Sequence, residues 1–299
     1  MTNNFKPLKI NEIDINNIKF SKLEDSDRVE SQKISYIRYK NNDIESQLRI
    51  QSCEICNEVY GIPMLDKYHT DAKSRSYYKL GFCHERKKQN DINYKHIEDL
   101  YNFFVKIDNH CSSEAFKKEM FGNKFNDYEY QPLIKRPEQD DEQLDKNNKV
   151  KYRPPCIKLK LDFVWEKDQN NSNNKPAFLL FEKIDNTRKQ ISLETFDEAV
   201  ANIPFLCKLR FVIHFSKLYA MKTKMGSKKN YGIILKATHI EVTKSQIKSS
   251  HTNELDIFCD SDSDVKRESN ITIKRLDSQN IEDEEDDEDD DDEDDEEEN

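Results

Sequence analysis

Apolar and polar positions alternate most clearly over Arg210–Met221. Phe211, Ile213, Phe215, Tyr219 and Met221 fall on one face, and Val212, His214, Ser216, Leu218 and Ala220 on the other. That is the period of two expected of a strand. Tyr231–Val242 is rich in β-branched and aromatic residues and reads as its return arm. Between the arms lie Lys222, Lys224, Lys228 and Lys229 with Gly226, a residue able to supply the positive φ of a connection. The stretch Phe205–Thr243 therefore predicts one long hairpin with a basic tip. A second alternation sets Ile157, Leu159, Leu161, Phe163 and Trp165 against Lys158, Lys160, Asp162 and Glu166. It predicts a strand over 157–165, a turn over 167–175 and a returning strand over Pro176–Ile184. Ser46–Cys56 and Ser74–Phe82 read as two further strands.

Other stretches carry helical spacing. Tyr94, Ile97, Leu100, Tyr101 and Phe104 form a stripe that predicts a helix over 94–107. Cys111–Phe121 reads as a second, shorter one. Thr195 and Glu198 have capping-box spacing ahead of Phe196, Ala199 and Val200, predicting a helix that ends near Pro204. Residues 129–155 are polar and hold Pro132, Pro137, Pro154 and Pro155, so an excursion is expected there. The fold class expected from this order is mainly β with helical insertions: an oligonucleotide-binding (OB)-fold-like barrel over 46–243, after an N-terminal arm at 1–45 with one or two short strands. Residues 244–299 are expected to be a disordered linker and acidic C-terminal tail.

Charge changes the picture. Glu282–Glu298 is an unbroken acidic run of 17 residues, and without it 48 lysines and arginines stand against 42 acids. Repulsion within such a run opposes folding, and a basic body beside it suggests that the tail competes with an anionic ligand or docks on a basic partner. The tail as a mere solubility segment is the plain alternative. Five glycines leave no phosphate-cradling GxGxxG or GxxxxGK[ST] loop, and no cofactor is expected. No apolar run of 18 residues and no signal-like start are present, which points to a soluble protein without membrane partners. The seven cysteines are irregularly spaced, as in a reducing compartment.

Candidate chemistry is sparse. Cys53 and Cys56 form CxxC, and Cys83 with His84 would be needed to complete a zinc tetrahedron. The second pair is adjacent and would diverge in a strand, so no bound metal is expected, and zinc stays the alternative. No histidine lies in an HExxH pattern or beside a glycine-flanked serine. Asp162 and Glu166 flank Trp165 without a third carboxylate to complete a two-metal nuclease site. The chain is read as a non-enzyme with no catalytic residues.

The basic and aromatic candidates for nucleic-acid contact are Arg49, Lys79, Lys158, Lys160, Arg210, Tyr219, Lys222, Lys224, Lys228, Lys229, Tyr231 and Lys236. Amines neutralise phosphates and rings stack on bases. The Tyr60-Gly61-Ile62-Pro63 turn, the lysine-rich strands, the segment KKNYGIILKATHIEV over Lys228–Val242 and the acidic end resemble the single-stranded DNA-binding proteins of large eukaryotic DNA viruses, related in fold to the phage T7 and T4 replication proteins. The resemblance implies an OB fold and the coating and protection of single-stranded DNA during viral replication. It also implies that Lys228, Lys229, Tyr231 and Lys236 lie on the DNA-facing strand. Its expected partners are single-stranded DNA and, through the acidic tail, a viral DNA polymerase or other replication proteins, with homo-oligomers possible. The expected location is the cytoplasmic factory of an infected cell, or the virion. The alternative readings are a scaffold protein of a viral factory and a divergent metal-dependent nuclease.

Overall fold

The computed structural model describes residues 6–41, 44–83, 92–137, 153–164, 175–185 and 187–244. The acidic run, the Trp165–Glu166 pair, His84 and the middle of the polar excursion lie outside the described residues. The strands are β1 (Leu8–Lys9), β2 (Ile18–Phe20), β3 (Glu24–Asp25), β4 (Gln32–Asn41), β5 (Ile44–Gln47), β6 (Arg49–Gln51), β7 (Ile55–Cys56), β8 (Tyr60–Gly61), β9 (Tyr77–Gly81), β10 (Tyr128–Tyr130), β11 (Cys156–Lys160), β12 (Leu179–Ile184), β13 (Thr187–Ile191), β14 (Lys208–Met221) and β15 (Lys229–Thr243). The helices are α1 (Ala72–Arg75), α2 (Ile92–Ser112), α3 (Glu114–Phe121) and α4 (Phe196–Asn202).

The hairpin β14–β15 is the spine. On the outer edge of β14, three strands pair antiparallel end to end: β7 at 208–209, β6 at 212–214 and β4 at 217–221. On the outer edge of β15, three pair parallel: β10 at 229–231, β11 at 236 and β12 at 239–242. Parallel neighbours require crossovers; from β12 to β15 the chain passes through β13, α4 and β14. β9 and β8 continue the sheet beyond β11.

The expected OB-like barrel is not formed. The strand order runs β1-β6-β14-β15-β11-β9-β8, and among the described residues its end strands pair only inward, β1 with β6 and β8 with β9. Barrel closure needs the first and last strands to meet; here the sheet stays open. Other boundaries move too. The strand expected over 46–56 is broken into β5, β6 and β7, and that over 157–165 stops at Lys160, leaving an isolated bridge between Phe163 and Pro176. Residues 32–41 supply a ten-residue strand bound to β14.

The hairpin is present, but its faces switch part-way. Phe211, Ile213 and Phe215 are buried, then Leu218 and Ala220, with a register shift between Phe215 and Lys217. This β-bulge inserts one residue and so changes which parity points inward. Tyr219 and Met221 therefore leave the core face on which strict alternation places them. A second shift between Val212 and Ile213 sets Val212 opposite His239 and His214 opposite Lys236, so the two histidines do not face each other.

On the core face lies α2. Ile97, Leu100, Phe104, Ile107 and Cys111 are buried at intervals of three and four, the stripe of a helix packed on one side. Phe104 stacks on Phe215 with ring centroids 6.2 Å apart and an interplanar angle of 18°. Tyr231 is fully buried and its hydroxyl donates to the Cys111 carbonyl at 2.6 Å, tying β15 to the end of α2. On α4 the capping pattern is half as expected: Thr195 Oγ1 accepts from the Glu198 N–H at 3.2 Å, while the Glu198 carboxylate takes the N–H of Glu194 instead.

Candidate functional site

Between β10 and β11 the outer edge of β15 has no strand beside residues 233–235 among those described. A groove of about 640 Å³ opens there. Its floor is Ile233, Ile234 and Leu235, and one wall is Pro132 and Leu133. The other wall comes from α1, β9 and β11. Four lysines line it, Lys73, Lys135, Lys158 and Lys160, with three rings, Tyr77, Phe163 and Tyr219, and no carboxylate among the described lining residues. An apolar floor with a few convergent charges is the usual make-up of a small-molecule site.

Each wall has a physical cause. Asp108 on α2 accepts from the Tyr130 hydroxyl at 2.9 Å and the backbone N–H of Leu133 and Ile134 at 2.8 and 3.1 Å, which bends the chain away from β15 after β10. A Cβ on Gly232 would come within 3.1 Å of the Tyr219 hydroxyl and 3.2 Å of the Gln131 carbonyl. Glycine there lets Tyr219 and the wall close on β15. Across β11, Lys158 is registered with Lys79 and Lys160 with Tyr77. Registered residues share a face, so β9 and β11 present rings and amines together. The Lys158 amine sits 3.8 Å from the Tyr77 ring centroid, and that of Lys79 sits 4.0 Å from the Tyr60 ring, both within cation–π range.

The cations crowd one another. Burial, then Lys79, lowers the pKa of Lys158. Burial, then Lys160, Lys236 and Arg28, lowers that of Lys217. Lys236 is relieved by Asp162 at 2.7 Å. This basic face continues to His214, which is registered with both Lys236 and Arg49. Burial first, then Arg49, Lys236 and Arg38, pull its pKa down to about 4 against the opposing effect of Asp162. His239 is shifted the same way by burial and Arg49.

A depressed folded-state pKa means that the unfolded chain takes the proton first. The stability contributed by neutral His214 is complete above about pH 6.5 and is lost as pH falls toward 4. Chemical denaturation at pH 7.0 and 5.5 should therefore show lower stability at 5.5, with a smaller drop in His214→Asn. An equal drop in both proteins would assign the pH dependence to other groups.

The residues expected from sequence separate into four groups. Lys158, Lys160 and Tyr219 line the groove, with Lys79 beside it and Lys236 and Arg49 on the adjoining basic face. Arg210 is engaged with Glu241 at 3.3 Å. The tip lysines stand apart: Lys222 pairs with Asp25 at 2.8 Å, Lys229 lies over the Tyr128 ring, and Lys224 and Lys228 are exposed. From Lys228 to Ile233 the strand climbs roughly 17 Å at about 3.3 Å per residue. Tyr231, expected to stack on a base, is core. Sequence reasoning missed Lys73, Lys135, Tyr77 and Lys217. The strand over Ser74–Phe82 that carries Tyr77 was legible, but its pairing with β11 is not local in sequence.

No group of three or more His, Cys, Asp or Glu side chains able to hold a metal occurs among the described residues, which removes the basis of the nuclease alternative. Cys53 and Cys56 are not joined by a disulfide, and burial pushes the Cys53 thiol up to about 12. No helix among the described residues is long and apolar enough to cross a membrane.

No described protein family matches this sequence. Over 231 residues the chain is 23% identical to an uncharacterized protein of Acanthamoeba polyphaga mimivirus. The alignment covers 70% of this chain and 55% of that protein, so the chain spans about half the length of its relative. The similarity is thus to a giant-virus protein of unassigned role. Together with the open sheet, it overturns the resemblance to single-stranded DNA-binding proteins and the replication role drawn from it. The factory-scaffold alternative rested on the acidic run, which lies outside the described residues, and gains no support.

Proposed function

We propose that this chain binds a phosphate-bearing small molecule with a planar ring, of the nucleotide class, in the groove beside β15. The observation that carries the reading is the lining itself: four lysines and three rings over an apolar floor, with no carboxylate among the described lining residues. Ammonium groups supply point charges for phosphate oxygens, and Tyr77, Phe163 and Tyr219 offer faces for a ring. Lys158, whose pKa is lowered by burial and then by Lys79, gains from an anion that offsets its neighbour's repulsion. Its similarity to a giant-virus protein supports, within the same proposal, a viral origin and so a place in an infected host cell.

Titration with a fluorescent adenine nucleotide, followed by competition with ATP, AMP and adenosine, tests the reading. Charge-assisted hydrogen bonds contribute roughly 1.5–3 kcal/mol each, so adenosine should compete at least about tenfold more weakly than ATP. Equal competition by ATP and adenosine, or no binding of the probe, would remove the nucleotide reading.

A further inference from the structure

Tyr77 lines the groove, and its hydroxyl is engaged by His69. It lies 3.1 Å from Nε2 of His69, whose Nδ1 lies 3.0 Å from Oδ1 of Asp66. The same carboxylate accepts the backbone N–H of Tyr68 at 2.8 Å and of His69 at 2.7 Å. These bonds, that of Tyr68 first, hold its pKa below the usual carboxylate range. An ionised Oδ1 takes the Nδ1 proton, which leaves Nε2 as the acceptor and makes the tyrosine hydroxyl the donor. A weak hydroxyl, a base and a carboxylate orienting the base thus stand in sequence, the arrangement that activates a nucleophile. Burial, then Asp66, raises the pKa of the phenol. Phenolate is therefore scarce at neutral pH, and attack requires a base already in contact.

We propose that Tyr77, with His69 as its base and Asp66 orienting the imidazole, is a nucleophile that accepts a phosphoryl-type group from a phosphoanhydride held in the groove. The inference rests on the nucleotide reading of the groove. The phenolic oxygen forms a bond to phosphorus while the bond from phosphorus to the bridging oxygen breaks. The phenolic proton passes to Nε2 of His69, and the electron pair of the broken bond stays on the departing phosphate. Lys158, 3.8 Å from the Tyr77 ring centroid, and the other groove lysines stabilise the departing charge. His69 then releases the proton to water. Attack at the α-phosphorus leaves a tyrosyl nucleotide and pyrophosphate; attack at the γ-phosphorus leaves tyrosyl phosphate and a nucleoside diphosphate.

The test uses the full chain with ATP labelled at the α- or γ-phosphate, with and without magnesium. Intact mass and peptide mapping follow denaturation, and the label is expressed per nucleotide bound by each preparation. The expected result is one label per chain on the peptide holding Tyr77, absent in Tyr77→Phe and formed about 100-fold more slowly in His69→Gln. In Asp66→Asn the rate falls and its pH profile shifts. The labelled position of ATP that is retained identifies the phosphorus attacked. A chain that binds nucleotide but stays unlabelled overturns this inference alone, as does a label persisting in Tyr77→Phe. A chain that neither binds nor labels overturns the groove reading with it.

Discussion

Phe104→Ala should lower the free energy of unfolding by about 3–5 kcal/mol, the usual range for a buried Phe→Ala change. Phe104 has no exposed surface and touches rings from three directions: Phe82 and Phe215 from the sheet side, at centroid distances of 6.3 and 6.2 Å, and Phe103 from its own helix at 5.6 Å. The lost transfer energy adds to the cost of a cavity, because Phe215 is fixed on β14 and Phe82, just past β9, is tied by its N–H to the Pro155 carbonyl at 2.8 Å, so neither follows the missing ring. A domain of this kind is stable by roughly 5–15 kcal/mol in total, so the variant should sit close to unfolding at 37 °C. Urea titration followed by near-ultraviolet circular dichroism measures it. The control is Phe205→Ala, where 69% of the residue is exposed; its effect should stay within about 0.5 kcal/mol. A Phe104→Ala loss below about 1 kcal/mol would mean that α2 does not pack on the hairpin as described.

That helix was legible because its stripe is local: Ile97, Leu100 and Phe104 announce the buried side without reference to anything else. The two arms of the hairpin were legible for the same reason. The bulge after Phe215 was not, because the pattern Phe215-Ser216-Lys217-Leu218 is compatible with either parity until a partner strand sets the register. Its consequence falls on the site, since the switch brings Tyr219 to the groove and Lys217 to the basic face. The barrel expectation failed at a longer range. Closure is a property of edge strands far apart in sequence, and the parallel succession of β10, β11 and β12 along β15 has no local signature. Lysine content on β11 was visible, whereas the gap in the sheet that turns those lysines into a groove was made by Asp108 pulling residues 133 and 134 toward α2. The tip lysines looked like the stronger attraction because they are close in sequence, yet Lys222 is engaged by Asp25 and none of the tip lysines lines the groove.

Reversing both charges on β11, Lys158→Glu with Lys160→Glu, should abolish anion binding while leaving the fold intact. The two side chains lie two residues apart on one face of a strand, about 7 Å along it, and both line the groove. The pair changes the local charge by four units in a groove without a described acid of its own. An expected loss of at least about 100-fold in nucleotide affinity corresponds to roughly 2.7 kcal/mol. Stability should hold or rise. Lys79 is registered with position 158 and Lys236 with position 160, so each new carboxylate gains an opposite charge across the sheet where two amines now repel. Loss of binding with an unchanged or higher unfolding midpoint therefore separates a ligand contact from a folding defect. Screening shortens the reach of these charges, to roughly 8 Å at physiological ionic strength, so the difference between the two proteins should narrow as salt rises. The matching control neutralises the tip, Lys222→Gln with Lys224→Gln and Lys228→Gln, and should leave nucleotide affinity within about twofold of the parent. If the tip variant loses affinity and the β11 variant keeps it, the anion sits at the turn around Gly226, and the groove is not its site.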